Sequence, residues 1–161
     1  MRSVIRLFIA IELPASLLEA LSDIQGRLAV AAPPGVVRWV RRGGIHLTLK
    51  FLGDVPPAQR GDIERGMLQA AGRSPFSLTV GGLGCFPNFK RPRVVWVGMG
   101  GDMDALHALG VAGEQGIAPL GYPTEKRPFN PHLTLGRVSR RASKSEAAAL
   151  GPGDRRRRHD E

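Results

Sequence analysis

Residues 46–49 read His-Leu-Thr-Leu, and residues 132–135 repeat the same four letters later in the chain. Each copy lies in a short run of β-branched and apolar residues, which predicts a strand. Successive side chains of a strand alternate between its two faces, so His and Thr share one face and the two leucines share the other. We expect the leucines to be buried and the polar pairs to line a binding surface, because burying polar groups without partners is costly.

A doubled His-x-Thr pair favours proton-transfer chemistry on a phosphate ester. An unperturbed imidazole has a pKa of about 6.5, so two of them can share one proton near neutral pH. One can accept a proton from water while the other donates to a leaving oxygen, and each role typically contributes about 10²–10⁴-fold in rate. The hydroxyls of Thr48 and Thr134 can hydrogen-bond phosphate oxygens. Two histidines without neighbouring carboxylates or cysteines do not form a metal site, so no metal is expected.

Six strands and three helices are predicted around the two motifs, from alternating apolar residues in short runs and helical spacing in longer ones. The strands are 4–12, 36–41, 45–52, 76–83, 93–99 and 131–138, and the helices are 14–28, 57–71 and 102–117. The strands are short and polar on one side. This favours an α+β fold with one sheet face exposed over a doubly wound parallel sheet.

Composition restricts the possible partners and surroundings. The 161 residues carry 23 Lys plus Arg against 14 Asp plus Glu, a net charge of +9, which favours a polyanionic partner such as nucleic acid, although charge alone also fits a basic chain with no such partner. Cys85 is the single cysteine, so neither an intramolecular disulfide nor a cysteine metal cluster is possible. The apolar run Leu7–Ile11 is too short for an export signal or a membrane span, so we expect a cytoplasmic protein without membrane association.

Further segments around the motifs make a family resemblance specific. Beside residues 46–49 and 132–135, they are Arg6–Ile11, Arg38–Val40, Lys50–Gly53, Gly84–Pro87, Arg91–Gly98, Arg127–Pro131 and Gly136–Arg137. With these segments the chain resembles the two-histidine phosphoesterases over about residues 4–138. Within that superfamily it is most similar to the RNA 2′,3′-cyclic phosphodiesterases, which are also called 2′-5′ RNA ligases.

The resemblance implies both a fold and an activity. The fold is one domain over residues 1–138, made of two pseudo-symmetric lobes, each an antiparallel sheet backed by helices, around a central cleft. The activity is metal-independent hydrolysis of RNA 2′,3′-cyclic phosphodiester ends to 2′-phosphomonoesters, with 2′-5′ RNA ligation as related chemistry. No cofactor is implied, and the partner is RNA with 2′,3′-cyclic phosphate ends.

The resemblance also implies roles for individual residues. His46 matches the proton donor to the departing 3′ oxygen, and His132 matches the base that accepts a proton from water. Thr48 and Thr134 match the residues that orient the phosphate. Arg137, shortly after the second motif, is expected to bind the substrate as an additional cation.

Further residues are expected to bind substrate. Five cations are candidate phosphate contacts, and Arg127 is preferred among them by its position; the others are Arg38, Lys50, Arg91 and Arg93. Phe129 is the preferred candidate for stacking on a base, since aromatic rings commonly hold single-stranded RNA. We expect most of the other aromatic candidates to belong to the core. They are Phe8, Trp39, Phe51 and Phe89.

The C-terminal stretch, residues 139–161, departs from the family pattern. We expect a short helix over 140–150 and then a mobile Arg-rich tail, where family members usually continue into further strands. A missing C-terminal strand would leave an exposed sheet edge, so we expect a monomer that could dimerise through that edge. Two other functions fit the sequence: an RNA-end-binding module with lost or weak catalysis, and the same chemistry on a small cyclic nucleotide.

Overall fold

The computed structural model describes residues 3–140 and residue 142. It contains six strands and three α-helices: β1 (Ile5–Ile11), α1 (Ala15–Ala31), β2 (Val37–Trp39), β3 (Leu47–Val55), α2 (Arg60–Met67), β4 (Leu78–Phe86), β5 (Val94–Gly101), α3 (Met103–Ile117) and β6 (His132–Val138). The α+β prediction is confirmed, and each of the six predicted strands is present with shifted bounds. The predicted helix 57–71 is the shorter α2, which has a 3₁₀ turn at each end.

The strands form two sheets of unequal size within the described residues. One sheet pairs β1 with β3, and the other has the strand order β2-β6-β5-β4. The pairings of β1 with β3, β2 with β6 and β5 with β6 are antiparallel. The chain divides into two compact units, one of Met1–Ile11, Leu47–Val80 and Met99–Pro131 and the other of Glu12–His46, Gly81–Gly98 and His132–Glu161.

The first unit packs α2 and α3 against one face of the two-stranded sheet. Its core is formed by Ile9 of β1, Val55 of β3, Ile63 of α2 and Ile117 of α3. The two helices approach closely at Gly66 and Gly116, where a Cβ added to Gly66 would lie 2.5 Å from the Gly116 carbonyl oxygen. The glycine in α3 therefore permits close helix packing at the cost of some helix propensity.

The second unit is built around β6, which lies between β2 and β5. Val36 and Val138 are buried together, with Val37 and Ala142 packed against them. The buried Gln25 of α1 uses its side-chain amide to donate hydrogen bonds to the carbonyl oxygens of Val40 and Leu135, both at 2.8 Å. This buried polar group is therefore satisfied and ties α1 to the strand that carries the second motif.

Several expectations concern the end of the chain. The predicted helix over 140–150, the Arg-rich tail and the missing terminal strand lie outside the described residues, apart from positions 139, 140 and 142. Within the described part, no helix is long and apolar enough to cross a membrane.

Candidate active site

The second motif occupies the start of β6 with the alternation that its sequence predicts. Leu133 and Leu135 are fully buried, whereas His132 and Thr134 are half-buried on the other face. Thr134 is paired with Trp96 of β5. The leucine face therefore belongs to the core, and the polar face is the one that offers functional groups.

A β-bulge follows the motif and determines where Arg137 lies. The pairing of β6 with β5 shifts register between Val95 and Trp96, so that Leu135 is the extra residue on β6. Without the bulge, Arg137 would share the leucine face. With it, Arg137 is exposed on the face of His132 and Thr134, and bulges commonly re-aim side chains in this way beside functional sites.

Two aromatic rings lie beside the imidazole of His132. Its ring centroid lies 4.9 Å from that of Phe86, nearly edge-on, and 6.4 Å from that of Trp96. The Phe86 and Trp96 rings are themselves 5.1 Å apart. A Cβ on Gly84 would overlap the Trp96 ring, so the glycine makes room for this aromatic group. These contacts restrict the orientation of the His132 ring.

The first motif lies at the start of β3. His46 is half-buried and immediately precedes the strand, so the predicted strand start at residue 45 is two residues too early. Leu47 is buried, and Thr48 pairs with Ala10 of β1. Thr48 lies on the sheet face opposite the core, because its β1 partner alternates with the core residue Ile9.

A second bulge sends Lys50 to the opposite side of the sheet from Thr48. The β1–β3 pairing shifts register between Ile9 and Ala10, and Lys50 pairs with Ile9 on the core side. Its side chain is only 10% exposed, and Nζ donates to Glu114 Oε1 of α3 at 3.0 Å and to the Pro123 carbonyl at 2.8 Å. Lys50 thus links the strand to α3 and to the loop that follows it.

The same network holds the loop that carries Arg127 and Phe129. Glu114 Oε1 also accepts the Glu125 backbone N–H at 3.1 Å, and Glu125 Oε1 accepts that of Arg127 at 3.3 Å. Arg127 is exposed and Phe129 is half-buried. This irregular segment therefore depends on side-chain contacts to fix its position within the first unit.

An exposed aromatic pair lies next to Thr48 on the same sheet face. Phe8 and Phe51 are directly paired in the β1–β3 register, with their ring centroids 6.2 Å apart, and they are 46% and 74% exposed. Phe89 is also 40% exposed, so the expectation that most of the aromatic candidates belong to the core is wrong. Phe51 is exposed because of a bulge at Leu52, which places Leu52 rather than Phe51 on the core side of the sheet.

Cys85 is buried, and burial raises the pKa of its thiol. The thiol is therefore protonated at neutral pH and is a poor nucleophile. Across the described ranges 3–140 and 142, no three His, Cys, Asp or Glu residues form a group that could hold a metal ion.

Comparisons with known proteins identify the family of the chain. A family model described as LigT-like phosphoesterase matches residues 11–96. A protein of Geobacillus stearothermophilus named RNA 2′,3′-cyclic phosphodiesterase is 36% identical over 131 residues, which are 81% of this chain and 41% of the relative. The Escherichia coli K12 protein of the same name is 37% identical over 150 residues, 91% of this chain and 77% of the relative. The chain spans 57% and 55% of the similarly named relatives from Aeropyrum pernix and Aquifex aeolicus, so it covers only about half the length of several curated relatives.

Solved structures show the same fold. A crystal structure of a Thermus thermophilus protein matches with a TM-score of 0.72 at 30% identity, covering 86% of this chain and 77% of that one. The apo structure of E. coli LigT matches with a TM-score of 0.66 at 33% identity, covering 84% and 72%. From its motifs, its fold and these matches, the chain belongs to the LigT-like phosphoesterase family.

Proposed function

We propose that this protein hydrolyses the 2′,3′-cyclic phosphodiester at the end of an RNA chain to a 2′-phosphomonoester, without a metal or other cofactor. The observation that carries the proposal is the repeated His-x-Thr motif, whose second copy presents His132, Thr134 and Arg137 on one sheet face. Family membership and the relatives named RNA 2′,3′-cyclic phosphodiesterase support it.

In the proposed reaction, one histidine removes a proton from the attacking water and the other donates a proton to the leaving oxygen. Neutral His132 accepts a proton from water as the water oxygen bonds to phosphorus. Protonated His46 donates its proton to the 3′ oxygen as the bond between phosphorus and that oxygen breaks. Thr48 and Thr134 donate hydrogen bonds to the phosphate oxygens that do not react, and so stabilise the negative charge that develops there.

The exposed Phe8–Phe51 pair supplies a surface for the terminal base. It lies two residues along β1 from Ala10, the partner of Thr48, which is about 7 Å at the usual strand rise. Stacking of a base on aromatic rings is tolerant of sequence and is a common way to hold single-stranded RNA. The E. coli LigT structures with 3′-AMP, ATP and NADP⁺ show that this relative binds nucleotides, which supports a nucleotide subsite here.

Other predicted substrate contacts fit the proposal in different ways. Exposed Arg127 is available to bind phosphate, and Phe129 remains a stacking candidate on the same loop. For Lys50 we propose a positioning role in place of the direct contact expected from the sequence, because its ammonium group already binds Glu114 and Pro123. We place the activity in the cytoplasm, in a monomeric protein that can also catalyse 2′-5′ joining of RNA ends.

The test is to incubate the purified protein with an oligoribonucleotide that ends in a 2′,3′-cyclic phosphate, in the presence of a chelator. We expect an end that carries a 2′-phosphate and a free 3′-hydroxyl. We also expect the His46→Ala and His132→Ala variants to lose this product. A 3′-phosphate product, or turnover that survives both substitutions, would contradict the proposal. Salt-sensitive binding of the oligonucleotide without turnover would favour the RNA-end-binding alternative.

A further inference from the structure

Arg38 of β2 and Arg137 of β6 are directly opposite each other in the antiparallel register. Residues paired in this way share a face, with Cβ atoms about 4.5–5.5 Å apart. Both are exposed. Like charges in this position destabilise a sheet unless an anion compensates them. Among the described residues neither guanidinium has an ion-pair or hydrogen-bond partner, so no anion within residues 3–140 compensates the two charges.

This arginine pair lies on the same sheet face as His132 and Thr134 of the second motif. Along β6 the order on that face is His132, Thr134 and then Arg137, which the bulge at Leu135 places there. Arg137 is three positions after Thr134, about 7–10 Å along a strand. Arg38 lies one strand further out, on β2, which is at one end of the strand order formed by the described residues. A chain bound at Thr134 through its terminal phosphate therefore meets two uncompensated cations about one nucleotide away.

We propose that Arg38 and Arg137 together bind the internucleotide phosphate that precedes the terminal nucleotide. The inference rests on the proposed function and assigns its substrate class as an RNA chain rather than a cyclic mononucleotide. A guanidinium presents a planar fork of donors that matches phosphate oxygens. A phosphate bound between the two guanidinium groups would neutralise their mutual repulsion. A cyclic mononucleotide has only the reacting phosphate, so only a longer RNA substrate gains this binding energy.

The test compares kcat/KM for a trinucleotide with a 2′,3′-cyclic phosphate end and for the matching cyclic mononucleotide. In Arg38→Met, the ratio of the two values should fall about tenfold, the loss expected for a charge-assisted hydrogen bond. The slope of log KM against log salt for the trinucleotide should fall by up to about 0.7, the contribution of one neutralised phosphate, because Arg137 still contacts that phosphate. Arg38→Lys should keep that slope and recover only part of the ratio. Arg27→Met, which removes an exposed arginine from α1, is the matched control and should change neither quantity.

An unchanged ratio in Arg38→Met would overturn the inference. So would an equal loss on both substrates, since Arg38 would then contact the reacting phosphate. If the wild-type protein hydrolyses neither substrate, the proposed function fails, and anisotropy titration of a labelled trinucleotide with a 3′-phosphate still tests the arginine pair. Arg38→Met should then weaken the Kd about tenfold relative to Arg27→Met, and equal Kd values would overturn the inference.

Discussion

At the scale of single residues, catalysis depends on how His132 is held as well as on its presence. Phe86 contacts the imidazole edge-on, and Trp96, seated over Gly84, contacts it from another side. Small misplacements of a reacting group can cost up to about a hundredfold in rate. We expect Phe86→Leu to lower kcat about tenfold while KM changes less than twofold, because the substitution frees the ring without removing a substrate contact.

Steady-state kinetics on the cyclic-phosphate oligonucleotide measure this effect. Phe89→Leu is the matched control, because Phe89 is an exposed phenylalanine that follows the same strand. An equal fall in kcat in both variants, or a rise in KM with unchanged kcat in Phe86→Leu, would show that Phe86 does not position His132.

The side-chain directions at the site show what the alternation of residues along one strand can and cannot predict. Strict alternation correctly predicts that Leu133 and Leu135 are buried and that Thr134 lies on the other face. It fails for Lys50 and Arg137, because each follows a bulge that reverses the faces. A bulge is a property of the pairing of two strands, and the pattern of one strand does not reveal it.

At the scale of elements, the loop between α3 and β6 is fixed by the partly buried Lys50–Glu114 pair. We expect Lys50→Met to release this loop, because Glu114 loses its cation and the Pro123 carbonyl loses its donor. The free energy of unfolding should fall by about 1–3 kcal/mol. Trypsin should cleave after the exposed Lys126 faster than in the wild type, and this increase in rate should be larger than the increase at other sites.

Arg60→Met is the control for this experiment, since it breaks an ion pair whose side chains are more than half exposed. It should cost no more than about 0.5 kcal/mol and leave cleavage after Lys126 unchanged. If Lys50→Met and Arg60→Met give the same cleavage rate at Lys126, the Lys50–Glu114 pair does not hold the loop.

Helix packing gives a second prediction at this scale. Gly116→Ala should lower the free energy of unfolding by about 1–3 kcal/mol, because the added Cβ would overlap the Gly66 carbonyl of α2. Gly110→Ala in the same helix should raise it by up to about 1 kcal/mol, since nothing lies within 4 Å of a Cβ there. Urea denaturation with unchanged m-values would measure both, and a stabilised Gly116→Ala variant would refute the close packing.

The helices show that local sequence patterns predict elements but not the contacts between them. Apolar spacing correctly predicts α1 and α3, although the three glycines at 110, 113 and 116 argue against α3. Only the contact with α2 explains Gly116, and that contact joins residues far apart in sequence. Sheet order is likewise beyond local patterns, because β2 pairs with β6 across most of the chain.

At the scale of the whole molecule, the proposed function requires two histidines in opposite protonation states. The rate of cyclic-phosphate hydrolysis should therefore pass through a maximum with pH and fall on both sides. Rates measured at saturating substrate across the pH range where the protein stays folded test this. A rate that rises to a plateau, with no fall at high pH, would mean that no protonated group donates to the leaving oxygen.

The most direct measurement replaces the 3′ oxygen of the cyclic phosphate with sulfur and compares three proteins. A thiolate leaves without a proton at neutral pH more readily than an alkoxide, because a thiol pKa is near 8.5. His46→Ala should lose about 10²–10⁴-fold on the oxygen substrate and regain most of that rate on the sulfur substrate, whereas His132→Ala should remain slow on both. Equal losses on the two substrates in His46→Ala, or recovery in His132→Ala instead, would contradict the assignment of His46 as the acid and His132 as the base.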